Sequence, residues 1–119
     1  MKLPVVNNTS DLLGQLIQKD LYDKLIHQLN KDFTLIGLDV DFNESENPLD
    51  LFNFLCEVVT DLIQKNFTNF LNLLYRIDIN EQQITTIINS ESTNIEQQIS
   101  FVILKREWQK VWFKTNFIL

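Results

Sequence analysis

Asp11-Leu-Leu-Gly-Gln-Leu-Ile-Gln-Lys-Asp-Leu-Tyr-Asp-Lys-Leu-Ile-His-Gln-Leu-Asn30 carries Leu13, Ile17, Leu21, Leu25 and Leu29 at strict intervals of four. Residues four apart sit one helical turn above one another with a slight rotation, so this row slants around a helix. Leu12 and Leu16 flank its start, and Tyr22 and Ile26 its end. Such a twisting stripe suits ridge-into-groove packing at a steep crossing angle. The spacing predicts a first helix running to about Asn30, capped by Thr9 or Ser10, with Asp11 at the positive end of its dipole.

The same period governs most of the remaining chain. Asn47-Pro48-Leu49-Asp50 is a helix start, with asparagine as cap and proline at the first helical position, where its missing donor costs nothing. Leu51, Phe52, Leu55, Val58, Val59 and Leu62 then share a face. The phase slips at Lys65-Asn66, and Phe67, Phe70, Leu71, Leu74 and Ile77 form a new stripe, which predicts a break and a third helix over 67–77. Asn80-Glu-Gln-Gln83 and Asn94-Ile-Glu-Gln97 have capping-box spacing. They predict a short fourth helix holding Ile84, Ile87 and Ile88, and a long last helix from Ile95 to about Phe117. Leu38-Asp-Val40-Asp-Phe42 alternates like a strand, but nothing else alternates far enough to pair with it, so an irregular connection over the core is expected. The fold class is therefore all-α: a bundle of about five helices in a single domain over residues 1–119.

Composition narrows the chemistry. The 119 residues include 18 leucines, 13 isoleucines and nine phenylalanines, enough apolar volume for a folded core despite 13 asparagines and a net charge of −6. There is no alanine, one histidine (His27) and one cysteine (Cys56). The apolar stretch at the start is too short for a signal-peptide core or a membrane span, so a cytosolic protein is expected. Cys56 lies in the apolar run Leu51–Val59, which predicts a buried, inert thiol. Phosphate loops, metal-binding histidine pairs, cysteine clusters and nucleophile elbows are missing from the sequence, so no catalytic residue, cofactor or metal is expected. His27 reads as a helix-surface residue loosely paired with Asp23, and Arg76 and Asp78 as local anchors of the turn into the fourth helix.

Charge is uneven. Residues 32–61 hold eight carboxylates and no lysine or arginine. Within them Asp39, Asp41, Asn43, Ser45, Asn47 and Asp50 follow the ligand spacing of a calcium loop. Glu44 stands where that loop needs glycine, however, and Pro48 interrupts it. A solvated acidic surface of Asp39, Asp41, Glu44 and Glu46 is the expected outcome. The last helix reverses the balance with Lys105, Arg106, Lys110 and Lys114 against Glu107, a footprint too small to indicate nucleic acid or membrane partners. At 100° per residue Ile95, Ile99, Val102, Phe113 and Phe117 gather on one side of that helix. Phe101, Leu104, Trp108, Val111 and Trp112 gather on the other. A helix apolar on two sides is central in its bundle or uses one side for a partner. A wholly internal core role is the first reading of Phe101, Leu104, Trp108 and Trp112, and a partner interface the second, since tryptophan is enriched at interface hot spots.

Asn69-Phe-Leu-Asn-Leu-Leu-Tyr-Arg-Ile-Asp-Ile79 and Ile103-Leu-Lys-Arg-Glu-Trp-Gln-Lys-Val111 resemble segments of small uncharacterised helical proteins of Bacteroidota-type bacteria. The resemblance covers about the last half of the chain. It implies an all-α bacterial cytosolic protein and carries no activity, cofactor or site residue. The functional expectation is a non-enzymatic protein–protein interaction module, able to form a homodimer. The alternatives are an acidic immunity- or antitoxin-type antagonist of a basic partner, and a small enzyme working with carboxylates and Arg76.

Overall fold

The computed structural model describes residues 2–44 and 47–117, without the side chains of Lys19 and Glu44. Six helices follow in order: α1 (Thr9–Gln15), α2 (Lys19–Leu35), α3 (Pro48–Lys65), α4 (Phe67–Ile77), α5 (Glu81–Asn89) and α6 (Ile95–Asn116), with a 3-10 turn at Phe42–Glu44 before α3. The all-helical expectation holds with one helix more than foreseen. No strand occurs among the described residues. No helix among them is long and apolar enough to cross a membrane.

The extra helix arises where the four-residue row looked continuous. The chain leaves the helix after Gln15 and re-enters it at Lys19, so Ile17, in the middle of the row, is 78% exposed while Leu21, Leu25 and Leu29 are buried. Asn8, rather than Thr9 or Ser10, caps α1 by accepting from the Asp11 amide at 2.8 Å. α2 continues past Asn30 to Leu35, because Phe33 extends the buried row. It ends at Gly37, whose φ of +84° only glycine adopts without strain, and the Leu38 amide there reaches back to the Phe33 carbonyl.

The other boundaries follow the sequence closely. Asn47 caps α3 through the Asp50 amide at 2.9 Å, with Pro48 at the first position. Asn66 ends α3 and caps α4, accepting from the Asn69 amide, so one residue makes the predicted break. Asn80 caps α5 through the Gln82 amide. Asn94 departs from its expected role: its side chain leaves the α6 amides alone and accepts from Gln98 Nε2 and Ser92 Oγ instead.

α6 is the axis of the bundle, packed chiefly against α3 and α2 and also against α5 and α4. At 22 residues it is about 33 Å long. Leu25, Leu29, Leu55, Val59, Phe70, Leu74, Ile103, Leu104 and Trp108 belong to one continuous core. Phe42 plugs one end, edge-on to Phe33 and Phe54, which turns the acidic connection into a strap anchored by an aromatic ring.

Candidate functional site

Where α2, α4 and α6 meet, the core is charged. Asp32 on α2 is 1% exposed and Glu107 on α6 fully buried. Gln28 Nε2 donates to Asp32 Oδ2 at 2.9 Å, and Arg76 Nε, from α4, donates to Oδ1 at 3.1 Å. Lys110 Nζ stands 3.5 Å from Asp32 Oδ2 and 3.4 Å from Glu107 Oε1. Beyond Gln28, Lys114 Nζ donates to its Oε1 at 2.9 Å. Neither Glu107 oxygen receives a well-aligned hydrogen bond. A proton on Glu107 resolves this, because the carboxylic acid then donates to Asp32. Burial, the hydrogen bond to Asp32 and its charge push Glu107 up to about 9 against the opposing pull of Lys110. Burial alone would raise Asp32 too, but the hydrogen bonds from Glu107 and Gln28, the Lys110 charge and the Arg76 bond together hold it below the usual carboxylate range.

A neutral acid beside a carboxylate is an arrangement used in acid–base chemistry. Here both carboxyl groups are buried, and the network they form links α2, α4 and α6. Arg76 therefore answers a residue 44 positions away rather than fixing the turn after α4. Asp78, its expected companion, takes a left-handed conformation (φ 67°) as the α4 cap and points its carboxylate to Arg106 at 3.5 Å.

The residues read as core or partner interface are mostly buried. Leu104 and Trp108 are fully buried, Trp112 nearly so and Phe101 half-buried under Lys105, whose ammonium lies 5.8 Å from its ring. Leu104, Trp108 and Trp112 belong to the core, and Phe101 packs against it. What α6 exposes is Phe113 and Phe117, from the opposite grouping, which pack on Trp112. Of the acidic surface, Asp39 and Asp41 are exposed, and Asp41 Oδ1 accepts from the Asn43 amide. The Glu44 side chain and Glu46 lie outside the described residues. No group of three or more metal-ligating side chains forms among the described residues. Cys56 is half-buried, and burial pushes its thiol up.

The outer surface carries a feature the sequence reading left undivided. On α4, Phe70, Leu73, Leu74 and Ile77 face the core, while Phe67, Leu71 and Tyr75 form a second row, 46%, 38% and 88% exposed. Beside Tyr75 a depression of about 500 Å³ is lined by Leu35, Ile36, Asn72 and Arg76. A second groove, of about 390 Å³, separates α2 from the end of α6, with His27 and Asp23 on its wall.

Asp32, Gln28 and Glu107 were not singled out because one sequence does not distinguish a buried carboxylate from a solvated one. The available signal was phase: Glu107 stands in line with Ile103 and Val111, four residues away on either side, on a stripe otherwise apolar. No family model, curated protein or solved structure matches the chain.

Proposed function

We propose that the chain is a small non-enzymatic interaction module that pairs with a second copy of itself through α4. The observation that carries this reading is the exposed row Phe67, Leu71 and Tyr75, extended by Leu35 at 58% exposure. The row faces outward beside the buried stripe of α4, and contiguous exposed apolar surface is characteristic of contact sites.

A second copy fits the row better than a partner of different shape. Phe67 and Tyr75 stand four residues to either side of Leu71, so a two-fold axis at Leu71 lays two α4 helices antiparallel, with Leu71 on Leu71 and Phe67 on Tyr75. Arg76 is the only charge on α4, and it is already engaged with Asp32. Two molecules of net charge −6 thus meet on a face without like charges. Four large side chains on each copy amount to on the order of 1,000 Å² of buried surface, the lower bound of a specific interface, so the dimer is weak, with a Kd of about micromolar or above.

Sedimentation velocity across ~5 to 500 μM tests this. The expected result is a monomer–dimer shift in the wild type and a monomer throughout for Leu71→Asp, which sets two carboxylates across the axis while leaving the helical circular dichroism unchanged. A wild type monomeric at all concentrations, or a Leu71→Asp variant that still dimerises, removes the proposal.

A further inference from the structure

Ahead of α1 the chain has no helical turn. Pro4 lacks an amide donor and disfavours helix at Leu3, and Val5 and Val6 are β-branched, so residues 2–7 stay out of the helix that begins at Thr9. Val5 is 79% exposed, whereas Val6 is buried at 3% and belongs to the core, with Leu3 packed against it. Val6 is thus the plug of a strap. Among the described residues no backbone–backbone hydrogen bond holds residues 2–7 to a helix. The Asn7 amide reaches only as far as Asp11, at the start of α1. One bond crosses to the body of the bundle: Lys105 Nζ, on α6, donates to the Val6 carbonyl at 2.9 Å, 99 positions away. The same ammonium stands 5.8 Å from the centre of the half-buried Phe101 ring, one turn earlier on α6. Asn7 and Asn8, at the base of the strap, share with Phe101 the lining of a depression of about 290 Å³.

We infer that residues 2–7 form a releasable strap, latched to α6 by Lys105, whose opening uncovers the Val6 socket and the Phe101 flank while the helices stay folded. A segment held by one buried side chain, one partly buried side chain and one cross-chain bond opens at far lower cost than a helix, whose loss exposes a whole apolar stripe. Lys105 is the control point, because its bond is charge-assisted and falls on the residue that supplies the plug. Lifting the strap frees the ammonium and the apolar socket in one step, so the latch and the surface it guards become accessible together.

Thiol labelling of the full chain tests the assignment. In a Cys56→Ser background, Val6→Cys sets a thiol under the strap and Val5→Cys sets one beside it in solvent, and a water-soluble disulfide reagent reads the accessibility of each. Both changes are small, and circular dichroism confirms the helical fold of each variant. The expected result is that position 6 reacts roughly a hundredfold more slowly than position 5. Its rate should stay constant between zero and about 1 M urea, because a local opening exposes little surface. Lys105→Met, which keeps an apolar stem beside Phe101 and removes the donor, should speed position 6 about tenfold and leave position 5 unchanged. A rate at position 6 that climbs with urea in step with the loss of helical signal would mean that the strap opens only with the bundle. That outcome, equal rates at the two positions, or an unchanged rate in Lys105→Met overturns the inference. The strap shares no residue with the α4 row, so none of these outcomes depends on whether the chain dimerises.

Discussion

Glu107 and Asp32 show how one pair of residues sets the pH response of the whole chain. Glu107 releases its proton near 4.5 when unfolded and at about 9 when folded. Its contribution to stability is therefore complete below about pH 4.5, declines as pH rises and is lost past about 9. Asp32 acts in the opposite sense: its depressed pKa contributes above the unfolded carboxylate range and is lost as pH falls through the folded value. The wild type should accordingly melt at a lower temperature at pH 8.5 than at pH 5.5, and Glu107→Gln, an amide that still donates to Asp32, should remove most of that slope. Asp32→Ala should cost about 3–5 kcal/mol by urea denaturation, because it leaves Arg76, Lys110 and the Glu107 proton without their common acceptor. A slope equal in wild type and Glu107→Gln would show that Glu107 ionises normally.

Among the elements, the starts of α3 and α5 were legible from their capping asparagines. Asn47-Pro48 and Asn80 start helices as read, since an asparagine cap is a local interaction that needs no tertiary partner, and the break at Asn66 was legible from the slip in apolar phase. The break after Gln15 was not legible, because the apolar row runs through it without a change of period. Ile17→Lys should therefore change stability by no more than about 0.5 kcal/mol, whereas Leu21→Lys, four residues on in the same row, should prevent cooperative unfolding altogether. The end of α4 offers a second check. Asp78 is held at a positive φ, so Asp78→Val should lose about 1–2 kcal/mol and Asp78→Gly should not, although both give up the Arg106 contact. Comparable losses in the two variants would assign the effect to the ion pair instead.

For the molecule as a whole, the decisive fact is that α6 lies at the centre. Trp108→Ala should cost about 3–5 kcal/mol in thermal unfolding and leave any dimer formed by the folded fraction unchanged, since Trp108 is core. Periodicity alone determined that the chain is helical, where most helices begin, and that α6 is apolar on two sides, because these depend on spacings of three and four along one strand of sequence. Tertiary structure decided which apolar rows are covered. It buried Trp108 and exposed the Phe67, Leu71 and Tyr75 row of α4, and it brought Asp32, Arg76 and Glu107 together from three helices. Coverage and long-range pairing depend on which neighbours a helix acquires, and a helix's own period carries no record of them.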